Sequence, residues 1–292
     1  MTTITTPMTM TAAPSNRLGV GAAVTALANE VHKGLLFVWR ERTQVLIELP
    51  LWFGVFLLMN AITGSGEQLA AGGRLDFTNA THAGARFVSF GAFILFYLQS
   101  SKLYWRLLGE IQAGTLEQVY LSPLPPWLLT AAGRVVATVL EALVTVTAVY
   151  LGVGVIVDLD LAWRGEALLP LLLFLLATVG YSLVLGGLVL VWKRVEMLAE
   201  GLAVLAFLLA GIFLPLAVLP GWLATVARLL PITQSVAYLR AVLVDGRPLG
   251  AMWGDGGLVW AATSALAWLA AGITAFSAGQ RTARRHGSLG QH

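Results

Sequence analysis

The chain has 292 residues, of which 58% are apolar and only 11% charged, with a mean hydropathy of +0.80 and a formal net charge of +3. A charged fraction under half of the roughly 25% usual in soluble domains, with apolar residues gathered into bilayer-length runs, excludes an ordinary soluble domain. The absence of cysteine excludes a disulfide framework, a thiolate nucleophile and a cysteine metal site, and the 18 basic residues form no nucleic-acid-binding stripe.

Residues 1–18, rich in Thr, Ala and Pro, read as a disordered tail with no signal-peptide pattern. Over 19–44, Leu27, Val31, Leu35 and Val38 recur at helical spacing against Asn29, Glu30, Lys33, Arg40 and Glu41, which predicts an amphipathic interfacial helix. Six runs then match a hydrocarbon core of about 30 Å: 45–63, 87–105, 130–157, 167–192, 201–219 and 257–277. None alternates with a strand period, and a backbone in lipid must satisfy its own hydrogen bonds. The expected fold is therefore an all-α integral membrane protein, with six transmembrane helices over 45–279 and a basic tail over 280–292. With both termini on one side, 12 of the 18 basic residues fall on that side, so the positive-inside rule places both termini in the cytoplasm.

The chemistry of a membrane enzyme is missing from these spans. The four histidines, His32, His82, His286 and His292, all lie outside them, and no metal-ligand spacing occurs. Ser182 and Ser264 have no histidine partner in sequence reach and read as helix-packing hydroxyls. Lys33, Lys102 and Lys193 follow His, Ser and Trp, so none completes the Gly-Lys-Ser/Thr of a phosphate loop. Glu48 lies near the inner end of the first span and Glu141 deep in the third, where a carboxylate must be paired or face water. Glu141 is thus either a polar residue on a translocation path, the ion-pair partner of Arg134 or Lys102, or a carboxylate lying near the membrane boundary.

Between the second and third spans stands GEIQAGTLEQVYLSPLPPW, residues 109–127. Glu110 opens it, Gly114 permits a break in chain direction, Thr115 can cap a short helix carrying Leu116, Glu117 and Tyr120, and Ser122-Pro123 ends it. Such a helix is suited to docking in another protein's cleft, or, more plainly, to lying on lipid. Lys193, Arg194 and Glu196, between the fourth and fifth spans, read as a second contact of the same kind or as topology anchors. Small residues Ala206, Ala210 and Gly211 in the fifth span suggest a seam where another helix approaches closely.

Gly114, Thr115, Leu116, Glu117, Leu121, Ser122, Pro123 and Leu124 together resemble the coupling helix of the permease subunit of type-2 ABC exporters. The stretch from Leu219 to Gly246 resembles that family's outer re-entrant helical hairpin, with Pro220, Trp222, Pro231 and Arg240 in its recurring positions. The tail with Arg281, Arg284, Arg285 and Gly287 resembles the family's basic ending. The resemblance implies a coupling helix over 109–124, a hairpin over 216–247, and a transport subunit that is not itself an enzyme. It also implies a separate ABC ATPase partner carrying ATP and Mg, and a second permease, either another copy or a relative. Spans lined by Leu, Val, Phe and Trp favour a hydrophobic or amphipathic cargo, such as a drug-like natural product or a lipid, exported across the cytoplasmic membrane. A glycan or lipid-linked polymer, or function as a secondary carrier or channel, stays open as the alternative.

Overall fold

The computed structural model describes residues 20–64, 76–78, 82–114, 128–129, 131–192, 195–209, 219–254 and 256–286. The regular structure among them is all helical, with no strand. The helices are α1 (Val20–Arg40), α2 (Arg42–Gly64), α3 (Ala83–Gln112), α4 (Val136–Gly154, entered through a π-turn over Ala131–Val135), α5 (Leu168–Val191), α6 (Glu196–Leu209), α7 (Gly221–Leu229), α8 (Pro231–Leu243), α9 (Leu249–Gly254) and α10 (Gly257–His286).

Four stretches are long and apolar enough to cross a bilayer: Arg42–Gly64, Gly133–Gly154, Gly165–Val191 and Gly257–Arg285. The expected second span lies inside α3, whose 30 residues extend about 45 Å. It falls below the others in apolarity because it carries Arg86, Gln99, Lys102 and Arg106. Those polar groups are matched by neighbouring helices rather than by lipid, and α3 is lined with buried residues from Ala83 to Ile111. Of the expected fifth span, α6 supplies a shorter apolar helix, Met197–Leu209, and 210–218 lie outside the described residues.

Two contacts organise the bundle. The first is a glycine ladder between α5 and α10. Gly180 and Gly187 are seven residues apart on α5, and Gly272 and Gly279 are seven apart on α10, so each pair lies on one face. A β-carbon on Gly187 would stand 2.6 Å from the Ala275 carbonyl oxygen, and one on Gly180, Gly272 or Gly279 would drive into backbone of the facing helix. Bare glycine backbone therefore lets the two helices touch along their length. Of the expected seam residues, Ala206 is fully buried within this chain, packed in its core, and Ala210 and Gly211 lie outside the described residues.

The second contact is aromatic. Trp52 on α2 meets Phe90, Phe93 and Tyr97 of α3 edge-on, at centroid distances of 6.2, 6.4 and 5.7 Å. Phe96 of α3 stacks on Tyr181 of α5 at 4.8 Å, and Tyr181 in turn meets Trp268 of α10 at 5.8 Å. This chain of rings crosses the bundle and carries α3 onto the α5–α10 pair.

Two short helices, α7 and α8, occupy the described part of the 216–247 stretch, whose residues 216–218 lie outside the described residues. Pro220 precedes α7, and the turn at Leu230 passes straight into Pro231 at the first position of α8, where its fixed φ and missing N–H cost nothing. Their fates differ. Trp222 on α7 is 70% exposed, whereas Pro231, Ile232, Val236, Leu239 and Val242 of α8 are buried. The Trp268 indole N–H of α10 donates to the Leu229 carbonyl at 3.1 Å, and the Ala162 N–H donates to the Leu243 carbonyl at 2.8 Å, fixing α8 at both ends. Arg240 lies in the last turn of α8, where its carbonyl accepts from the N–H groups of Val244 and Asp245.

The ladder makes a prediction. Gly187→Leu is expected to lower thermal stability in detergent by about 1–3 kcal/mol or to prevent folding, since overpacking has no room to relax against backbone. Gly54→Ala, where a β-carbon meets nothing within 4 Å, is expected to leave the melting temperature unchanged or slightly raised.

Candidate functional site

Near the C-terminal end of α3 the apolar core gives way to charge. Lys102, Arg106 and Glu110 stand four residues apart on α3 and therefore on one face. From α4, Glu141 reaches that face with its side chain only 1% exposed; it pairs with Lys102 and accepts from the Arg106 guanidinium at 2.9 Å. Lys102 lies 3.3 Å from Glu48 of α2, and Arg106 donates at 2.8 Å to Glu41, in the joint between α1 and α2. One turn further on, Arg134 of the π-turn holds Glu110 through both guanidinium edges, with the Nε contact at 3.1 Å. Three carboxylates from three places in the chain thus share two cations on one helix.

Two further features tighten this end. The Arg106 guanidinium lies 4.9 Å above the Phe37 ring, so α1 contributes an aromatic face beside the Glu41 carboxylate that follows it. Gly34 of α1 sits against Gly133 of the π-turn so closely that a β-carbon on Gly34 would overlap the Gly133 carbonyl oxygen. The amphipathic helix expected over 19–44 is therefore helical over Val20–Arg40 and seated on protein along the Gly34 face.

The α3 helix closes where the sequence predicts a change of direction. Ala113 N–H bonds to Gly109 and Gly114 N–H to Ile111, and Gly114 adopts φ +66°, the left-handed geometry that ends helices at glycine. Thr115, Leu116, Glu117, Tyr120, Ser122 and Pro123 lie outside the described residues, as do Lys193 and Arg194. Glu196 is the first residue of α6. Beside Gly114 a cleft of about 370 Å³ opens between α1, α3 and α4, bordered by Lys33, Phe37, Trp105, Ala113 and Gly133. It stands at the exit from α3 into the 115–123 segment.

Of the readings offered for Glu141, pairing with Lys102 is the one observed; Arg134 serves Glu110 instead. Arg106 and Glu41 were not foreseen as members. The four-residue spacing Lys102–Arg106–Glu110 was the available signal, since a hydrophobic helix seldom sets three charges on one face without partners.

Removing one member tests the network. Lys102→Met leaves Glu48 without its ion pair and Glu141 with only one, and it is expected to destabilise the protein by about 3–5 kcal/mol. Glu48→Gln in the same chain is expected to recover part of that loss. Arg42→Met, which removes only an exposed stacking contact 5.0 Å from Trp39, is expected to cost about 1 kcal/mol or less. Thermal unfolding of the four proteins in one detergent distinguishes these outcomes.

Residues 9–244 match the ABC-2 type transporter family, a stretch that takes in α1 to α8 and the whole of the charged cluster. No curated protein matches the chain. The match covers most of the sequence and agrees with the apolar helices long enough to cross a bilayer. The chain therefore belongs to the ABC-2 type transporter family, as a multi-pass permease component of an ABC transporter.

Proposed function

We propose that this chain is the transmembrane permease of an ATP-driven exporter, moving a hydrophobic or amphipathic substrate outward across the cytoplasmic membrane. In this reading ATP and Mg are bound by a separate ABC ATPase and the chain performs no catalysis of its own. It pairs with a second permease, and six spans leave both termini in the cytoplasm. The observation that carries the reading is the end of α3. A helix about 45 Å long terminates at a left-handed glycine, and just before that terminus its last three turns are ion-paired to the α1–α2 joint, α2, α4 and the π-turn.

That arrangement suits a lever. The segment 115–123 forms the coupling helix and docks in the ATPase. Closure of the ATPase on ATP pushes it, and the push enters α3 directly. Because the α3 face carrying Lys102 and Arg106 is shared with Glu41, Glu48 and Glu141, the displacement reaches α1, α2 and α4 together instead of dissipating in one helix. Lys193, Arg194 and Glu196 provide a secondary contact with the same ATPase. Pro220, Trp222, Pro231 and Arg240 mark the hairpin at the outer side, and Trp222, largely exposed, anchors it at the lipid interface.

The test is an affinity purification from native membranes in mild detergent. A stoichiometric ATPase with vanadate-sensitive hydrolysis is expected to accompany the tagged chain. Glu117→Lys is expected to lower that recovery at least tenfold while membrane insertion and stability stay as in the parent. Recovery unchanged by Glu117→Lys contradicts the coupling assignment, and transport that persists without any nucleotide-binding partner contradicts ATP-driven export.

A further inference from the structure

A second cleft, of about 400 Å³, opens between α2 and α3 on the other side of the charged cluster. Its walls are aromatic, from Trp52, Tyr97 and Trp105, with Leu51 and Leu98 beside them, and Glu41 and Glu48 border it together with Lys102 and Arg106. All of these residues lie on described helices.

The charges around the cleft do not balance. Glu41, Glu48 and Glu141 face Lys102 and Arg106, three carboxylates against two cations, and each side chain is no more than about a third exposed. Glu141 engages both cations, so Glu41 and Glu48 each receive a single, shared partner. Glu48 is held least well. Its Oε2 is buried and accepts no hydrogen bond from the described residues, standing 3.3 Å from Lys102, while its Oε1 accepts from the neutral amide of Gln44 at 2.9 Å. Glu200 of α6 adds a further carboxylate beside Tyr97 and Ser101 in the adjoining crevice.

Beside Glu48, one turn along α2, the Trp52 indole N–H is buried and has no acceptor among the described residues. Two residues with an unpartnered polar atom sealed inside the protein, Glu48 and Trp52, thus border the same aromatic-walled cavity. Excess negative charge at low exposure is expensive unless a cation supplies the difference. Aromatic faces favour that same cation, and this end of the molecule already stacks Arg42 on Trp39 and Arg106 on Phe37.

We infer that the cleft between α2 and α3 is a binding site for an amphipathic organic cation, with Glu48 as its counter-charge and Trp52, Tyr97 and Trp105 as its walls. A lipophilic amine or onium ion fits: its apolar body lies along Leu51 and Leu98, and its charge is met by the carboxylate excess that Glu41 and Glu48 bring to the border of the cleft. As a statement about cargo this rests on the permease reading; as a statement about binding it rests on the cleft alone.

The test is protein-dependent binding of tetraphenylphosphonium and tetraphenylborate, probes of one shape and opposite charge, to the full chain in nanodiscs, measured over empty nanodiscs. Saturable binding of the phosphonium with at least tenfold preference over the borate is expected. Glu48→Gln is expected to weaken the phosphonium about tenfold, with Trp52→Phe, which keeps a ring, weakening it less. Photolabelling of the unmodified protein with a benzophenone-bearing phosphonium keeps the inference testable if the variants fold poorly, and adducts are expected within 44–52 and 97–106. Equal binding of the two probes, full affinity in folded Glu48→Gln, or adducts confined elsewhere would overturn it. ATPase recovery from the same membranes separates the two proposals: an ATPase without phosphonium binding leaves the permease reading and removes this one.

Discussion

Lys102 and Arg106 stand one helical turn apart on α3, and between them they hold carboxylates from the α1–α2 joint, from α2 and from α4. A buried ion pair adds little net stability over an apolar contact of the same size, because desolvation consumes most of the Coulombic gain. What it does is penalise separation, since any helix that leaves the cluster strands a charge at low exposure. The ends of α1 to α4 are thereby constrained to stay together, although apolar packing alone would let them slide in lipid. The Gly34–Gly133 contact and the Arg134–Glu110 pair reinforce the same constraint from the α1 side.

The opposite half of the bundle is held by different means. Along α5 and α10 the glycine ladder brings backbone against backbone, with no charges involved, and its strength is van der Waals contact over a long seam. The ring chain Phe96–Tyr181–Trp268 joins the two halves. Helix α3 is therefore the common member, bound to α4 and α2 by charge and to α5 by aromatic packing. This explains how a helix carrying Arg86, Lys102, Arg106 and Glu110 is also the most enclosed of the long helices, and why a force delivered at Gly114 enters the bundle through its centre.

Much of this was legible in the residues. Apolar run length located α5 within one residue at each end, 168–191 against the expected 167–192, since in lipid the run and the helix have the same cause. Gly114 was read as a break and adopts positive φ, and Pro231 was read as a hairpin position and opens α8. Hydropathy understated α3, because a polar residue answered by a partner on another helix looks, in one dimension, like an interruption. The glycine ladder was missed for a related reason: a seven-residue glycine spacing on α5 acquires meaning only beside its counterpart on α10, some 90 positions away. Glu141 was recognised as needing a partner, but the choice between Lys102 and Arg134 depended on α3 lying between α2 and α4, which spacing does not encode.

The central claim is that charge on α3 locks α2 to α4 as one moving unit. With no native cysteine, spin labels can be placed singly at Ile47 of α2 and Val144 of α4, both exposed and close in sequence to Glu48 and Glu141. Pulsed electron resonance between them is predicted to give one narrow distance that keeps its width when the purified transporter is trapped with vanadate, and a broad distribution in the Lys102→Met chain. A distribution that is already broad in the parent, or one that Lys102→Met leaves narrow, would contradict it.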